Sequence, residues 1–228
     1  MKIGLLADVR GLVAPLPQAL RLLREEGCER LVCLGSTVEG GPDDEEVLRL
    51  LAEASVLIVP SPFDAPGRLD GWADHATLAG LELAHETPGG SDEMLWLTSC
   101  QAPSILKTMT TLGARPGQHV AGDLYVPFVS MLPEGGGASR RIFLGTGSVT
   151  IPPGSFIACP GSVTMALESR HGGGVATWDE ATREFSAIRS GTENHPPAAR
   201  LESADQLLHV RDGPALEVPP RPGVNQNE

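Results

Sequence analysis

Met1-Lys2-Ile3-Gly4-Leu5-Leu6-Ala7-Asp8-Val9-Arg10-Gly11 opens the chain, and its reading decides the fold. Lys2 to Ala7 is a short apolar run with no helical period, ended by Asp8 and then Gly11. Such a run suits a strand buried on both faces, with a carboxylate at its C-terminal end. In open α/β sheets, ligands sit at the carboxyl ends of strands. Asp8 therefore marks the expected site, and later strand ends are expected to gather around it.

Downstream, Pro15 to Glu26 carries Leu16, Ala19, Leu20, Leu22 and Leu23 in a helical stripe, with proline near its start and Gly27 as the C-cap. Arg30–Leu34 reads as a second buried strand. A Gly- and acid-rich loop follows, and Pro42-Asp43-Asp44-Glu45-Glu46 opens a second helix with its acids where the dipole favours them. Ser55–Pro60 reads as a third strand. This β-α-β-α-β opening predicts a parallel sheet with right-handed crossovers. Ser61 to Asp74 reads as loop.

Farther along, Thr77–Ala84 and Met94–Cys100 read as strands around the turn Pro88-Gly89-Gly90, and Ser104–Leu112 as a short helix. Gln118–Ala121 reads as a strand. Val126–Leu132 is expected to be antiparallel, because the loop that follows is too short for a crossover helix. Thr146–Thr150 and Pro160–Thr164 echo each other and are read together as one hairpin-like elaboration, since a repeat architecture needs at least three units. Val175–Trp178 and Glu184–Arg189 read as the last hairpin. The domain is expected over residues 1–189. Residues 190–228 form a Pro-rich acidic tail, with helical pattern only over Ser203–Val210.

At 228 residues and 41% hydrophobic content, with a mean hydropathy of -0.04, the chain reads as soluble and globular. Twenty-nine acids against 17 bases give a net charge of -12, which argues against nucleic acid and anionic membrane as partners. The four cysteines show no metal-finger spacing and read as buried thiols. Without a leader pattern or a membrane-length apolar run, a cytoplasmic location is expected. The six histidines look scattered, and Asp74-His75 reads as a solvated loop pair. Ser36, Ser99 and Ser162 lack a nucleophile elbow, and no motif places a histidine beside them. Gly145-Thr146-Gly147 lacks the lysine of a phosphate-binding loop.

The strand ends line up as Asp8-Val9-Arg10-Gly11, Leu34-Gly35-Ser36 with Gly41-Pro42, Ser61-Pro62-Phe63-Asp64, Leu97-Thr98-Ser99, Gly122-Asp123-Leu124-Tyr125-Val126-Pro127-Phe128 and Cys159-Pro160-Gly161-Ser162-Val163. Order and spacing resemble the calcineurin-like metallophosphoesterases of the small bacterial and archaeal type. That family reads D-x-H-G, L-G-D…G-P, G-N-H-D, a strand ending in H-G, G-H-T-H-x-P-F and N-P-G-S-V. The resemblance spans about residues 1 to 189 and implies a four-layer α/β/β/α sandwich of two mixed sheets.

It also implies two metal ions that clamp a phosphate and generate a hydroxide nucleophile. Carried over position by position, the ligands fall at residues 8, 10, 36, 62, 99, 123 and 125, and the transition-state histidine at 63. Here Asp8 matches, whereas the others are Arg10, Ser36, Pro62, Ser99, Asp123 and Tyr125, with Phe63 in the catalytic place. Ser36 removes the bridging carboxylate and Pro62 has no donor atom. Phe63 can neither transfer a proton nor stabilise negative charge. Asp64 matches a structural position of the third motif.

Arg10 puts a permanent cation where a dication would sit, and is expected to pair with Asp8 and Asp123 in place of the metal charge. No cofactor is expected. The alternative is weak binding of Mn²⁺, Mg²⁺ or Ca²⁺, with Asp8 and Asp123 as carboxylate ligands. The expected function is a catalytically inactive binding or scaffold module, as in the retromer subunit that resembles the same family, with a protein partner or a second copy of the chain. The alternative is a weak metal-dependent phosphoesterase with a remodelled site. A third expectation is a small anion held at Arg10 without turnover.

Overall fold

A computed structural model describes residues 1–85, 118–122, 127–134, 140–144, 146–164 and 174–189. The chain divides into two units, Met1–Ala198 and Ala199–Glu228, and all described residues lie in the first. The expected strand Met94–Cys100, the helix Ser104–Leu112 and the whole tail fall outside the described residues.

The opening follows the sequence closely. Strand β1 (Lys2–Leu6) leads to helix α1 (Leu16–Glu25), β2 (Arg30–Leu34), helix α2 (Asp44–Glu53) and β3 (Val56–Val59). Gly27 sits at φ +74 and its N–H bonds the Arg24 carbonyl at 2.9 Å, closing α1. Both β1 and β3 pair with β2 in parallel.

Seven further strands follow: β4 (His75–Leu78), β5 (Leu81–Ala84), β6 (Gln118–Ala121), β7 (Phe128–Pro133), β8 (Arg140–Phe143), β9 (Gly147–Thr150) and β10 (Gly154–Cys159). The hairpin of β11 (Gly174–Asp179) and β12 (Glu184–Arg189) completes the set. Two mixed six-stranded sheets result, in the orders β3-β2-β1-β11-β12-β9 and β4-β5-β6-β10-β7-β8. As expected, β7 is antiparallel to both its neighbours, β10 and β8.

Alternation along the strands sorts the apolar residues into layers. Ile3, Leu5, Val32 and Leu34 of the first sheet meet Leu83, Val120, Val129 and Phe156 of the second, forming the core between the sheets. Leu6, Leu31, Cys33 and Ile58 point the other way, against Leu16, Leu20, Leu23, Val47 and Leu51 of the two helices. Helix, sheet and sheet are thus three of the four expected layers. Ile157 and Cys159 are fully buried yet belong to neither cluster, so the far face of the second sheet is covered too. No helix among the described residues is long and apolar enough to cross a membrane.

Two expectations need correction. Thr77–Ala84 is not one strand: it breaks at Ala79-Gly80, both with positive φ (+50 and +71), and folds into the β4–β5 hairpin with Leu78 opposite Leu81. A two-residue turn of this kind matches the natural strand twist, but alanine is an unusual residue to carry it. The echo at residues 146–164 is not a hairpin-like unit either. Strand β9 pairs with β12 in the first sheet, while β10 lies in the second between β6 and β7. The chain changes sheets over Ile151-Pro152-Pro153, a segment without ladder donors at its two prolines. Arg183 fastens this crossing by donating from Nε to the Ile151 carbonyl (2.9 Å) and from Nη2 to that of Pro152 (3.2 Å).

Candidate functional site

The carboxyl ends of β1, β2, β3, β5 and β6 come together where the two sheets meet. The loops of the first sheet are stitched by their own backbones: Asp8 N–H bonds Gly35 O (3.1 Å), Arg10 N–H bonds Ser36 O (2.7 Å) and Gly11 N–H bonds Thr37 O (2.9 Å). Asp8, Arg10 and Ser36 all take left-handed backbone conformations, with φ of +55, +56 and +47. Non-glycine residues hold such conformations at a cost of about 1 kcal/mol or more each, and only where the surroundings over-determine them.

Asp64 supplies that determination. Its buried carboxylate accepts the N–H groups of Thr37 (2.5 Å), Val38 (2.9 Å) and Ser61 (2.7 Å), together with the Ser61 hydroxyl (3.0 Å). Ser61 Oγ in turn accepts the N–H groups of Ser36 (3.0 Å) and Phe63 (3.2 Å). Asp44, fully buried at the start of α2, likewise accepts the N–H of Gly40 at 2.8 Å. Val163 N–H bonds Ala7 O at 3.0 Å, bringing the loop after β10 to the end of β1. In that loop Gly161 packs so tightly on Pro127 that a Cβ would lie 2.8 Å from its Cδ, so two pieces of the family resemblance touch.

The second sheet contributes one of the histidines that look scattered in the sequence. His85 follows β5 and is buried, with Nδ1 2.8 Å from the Leu34 carbonyl. A carbonyl only accepts, so in the neutral ring Nδ1 carries the proton and Nε2 the lone pair. A Cβ on Gly35 would lie 2.5 Å from His85 Nδ1, and one on Gly122 would lie 2.0 Å from Leu34 O. Glycine at both places lets the sheets approach closely enough to seat the imidazole. Phe63 meets it edge-on, with ring centroids 6.0 Å apart and planes at 74°.

Of the positions taken from the resemblance, Asp8, Arg10, Ser36, Pro62, Phe63 and Asp64 are brought together, whereas Ser99, Asp123 and Tyr125 lie outside the described residues. Asp8 and Ser36 are buried, while Pro62 is exposed and Phe63 is 42% exposed. Arg10 reaches an acid that no motif of the sequence singles out: its Nε donates to Glu39 Oε1 at 2.6 Å, with both side chains nearly half exposed.

No protein-family model matches the chain, and no curated protein matches it. Solved structures do. A metallophosphoesterase from Sphaerobacter thermophilus is similar over 82% of this chain and 87% of its own, with a TM-score of 0.58 and 15% identity. The chain has a calcineurin-like metallophosphoesterase fold. The phosphoesterase Yfce from E. coli is similar at a TM-score of 0.48 and 18% identity, over 78% of this chain and 88% of its own. Vps29 from Chaetomium thermophilum is similar at 0.44 and 14%, over 78% and 82%. The fold assignment rests on the first of the three.

A metallophosphoesterase fold raises the question of a two-metal centre. Among the described residues the donors do not fit one. Asp8 and His85 are suitable ligands, but Ser36 offers one neutral hydroxyl where a bridging carboxylate is needed, Pro62 offers nothing, and Arg10 is a cation. No group of three or more His, Cys, Asp or Glu among the described residues is arranged to hold an ion. What the arrangement does provide is a rigid, hydrogen-bonded set of loops that holds an aromatic ring at the strand ends.

Proposed function

We propose that the chain is a catalytically inactive metallophosphoesterase-like protein that works as a binding or scaffold module in the cytoplasm. The observation that carries this reading is Phe63. It stands where the resemblance puts the transition-state histidine, held by the Ser61 hydroxyl and set against His85. A phenyl ring there has no proton to transfer and no charge to offer. The loops around it are held by Asp64 and Ser61, while Arg10, Ser36, Pro62 and Phe63 stand where the resemblance puts three ligands and the catalytic histidine. In this proposal residues 1–189 form the working domain, and the acidic tail 190–228 is a separate element.

Asp8 and His85 favour a second reading, weak metal-dependent phosphoester hydrolysis, because one carboxylate and one imidazole with an oriented lone pair remain. Elemental analysis after incubation with Mn²⁺ and desalting separates the two. The non-catalytic reading expects less than about a tenth of an equivalent of metal and no turnover of a generic phosphodiester. Retention of about one or two equivalents, the stoichiometry of the two-metal mechanism, together with turnover, would establish the second reading.

A further inference from the structure

We propose that the loop Ser61–Asp74 docks a segment of a protein partner in which an aromatic or leucine side chain lies between arginines or lysines. The inference rests on the binding-module reading above and names the chemistry of the partner. Among the described residues, five large apolar side chains are markedly exposed, and the two aromatic ones, Phe63 at 42% and Trp72 at 48%, lie on this loop. Isolated exposed apolar residues are ordinary on a protein surface. What sets these apart is how firmly the backbone beneath each is held.

Near its start, the loop is held by Asp64 and Ser61, which bond the backbones of Thr37, Val38 and Phe63, and the Phe63 ring lies edge-on to buried His85. Toward its end, Leu69 is buried among the apolar residues beneath the helices, and its carbonyl accepts the Trp72 N–H at 3.2 Å. Arg68 between them reaches Glu45 at 3.4 Å on the first turn of α2. The ordering cost of this loop is therefore met within the fold, so an incoming segment does not have to supply it. Rigid aromatic side chains on a preordered surface are the residues that dominate binding energy in interfaces.

Charge selects the partner. Of the bases on this rim, Arg68 faces Glu45 and Arg10 faces Glu39. Asp70, which accepts the Gly67 N–H, and Asp74, bonded to His75 at 2.7 Å, add negative charge to the loop surface, and the chain as a whole carries -12. An apolar anchor flanked by cations fits that surface, and the complementary charge speeds its encounter. A polyanion does not fit.

The test uses the full chain and a fluorescein-labelled peptide of about twelve residues, alternating arginine with leucine or phenylalanine. Two control peptides accompany it, one with glutamate for arginine and one with alanine for the apolar residues. Fluorescence anisotropy is read at about 0.15 M salt. The expected result is saturable one-to-one binding of the first peptide alone, weakened about tenfold or more by Phe63→Ser and by Trp72→Ser. Leu57→Ser, at a comparably exposed position on β3 (42%), is expected to leave it unchanged.

Three outcomes would overturn the proposal: no saturation up to about 1 mM, equal binding of the alanine control, or an equal loss with Leu57→Ser. Sedimentation is run on the same variants. A dimer that Phe63→Ser dissolves would show that a second copy covers the loop, and would overturn it as well. Thermal melting of each variant excludes misfolding as the cause of a loss. Metal retention with intact peptide binding would sink the non-catalytic reading and leave the docking surface standing.

Discussion

Two of the buried polar centres among the described residues are built in opposite ways. Beneath the strand ends of the first sheet, the Asp64 carboxylate takes four donors from Thr37, Val38 and Ser61. On the far face of the second sheet, His119 Nε2 and Ser130 Oγ are buried with no hydrogen-bond partner among the described residues. They lie in one cross-strand row, since Glu82 opposes His119, His119 opposes Ile157, and Ile157 opposes Ser130. Their neighbours Val120, Ala158 and Val129 point to the core between the sheets. A satisfied network rigidifies the structure around it, whereas an unsatisfied buried group carries its full desolvation cost. The fold invests its order at the strand ends of the first sheet.

The sharpest way to break this comparison is to empty the first centre. Asp64→Ala strands three buried backbone N–H groups and the Ser61 hydroxyl at once. Each stranded donor costs about 1–3 kcal/mol before relaxation, so a loss of about 3–5 kcal/mol in denaturant unfolding is expected. Asp64→Asn keeps one acceptor oxygen and should lose about half as much. A loss of less than about 1 kcal/mol for the alanine variant would mean that the loops are held by packing rather than by Asp64.

How much of this was legible in the sequence divides along the same line. β1, α1, β2, α2 and β3 were readable because each is a local pattern: an apolar run, a helical stripe, a glycine just past the helix end. The framework role of Asp64 was readable too, through its match to a structural position of a known motif. His85 was not. What seats it is the close approach of Gly35 and Gly122 and a bond to Leu34, 51 residues away. No local pattern encodes that distance. One signal was available: Leu81 and Leu83 alternate into His85, as in a strand ending in an imidazole. The Ala79-Gly80 turn hid it by placing alanine at positive φ. The parting of β9 and β10 into different sheets was equally hidden, because the choice of partner strand is made by β12 and β6 elsewhere in the chain.

The second centre is tested by pH. Burial holds the His119 imidazole below its ordinary value of 6.5, and Glu82 opposes that shift more weakly. Because the folded-state value is the lower one, the folded protein binds its proton less readily than the unfolded chain does. The stability linked to His119 is therefore present above the unfolded value, and it is lost as pH falls through 6.5 toward the folded-state value. Unfolding free energies measured from about pH 7.5 to 5 should fall with acid. His119→Gln should flatten that fall, since a carboxamide does not titrate. An unchanged pH profile in the variant would assign the acid sensitivity to other groups and remove His119 from the comparison.

The smallest effect is expected at Arg10, and it limits what the first centre owes to charge. The sequence led us to expect this guanidinium to stand in for a metal beside Asp8 and Asp123, with a clear loss of melting temperature on its removal. Its Nε donates to Glu39 across the rim, and both side chains are nearly half exposed. Exposed pairs of this kind contribute about 0–1 kcal/mol. The Glu39 pair should therefore account for less than about 1 kcal/mol of what Arg10→Ala costs, and that share should shrink further as salt is raised through the screening range. The backbone bonds of Arg10 and Gly11 to Ser36 and Thr37 do not depend on the side chain, so the strand ends stay stitched without it. A large, salt-independent loss would show that the guanidinium acts inside the buried centre, and would favour the charge-replacement reading in addition to the surface pair with Glu39.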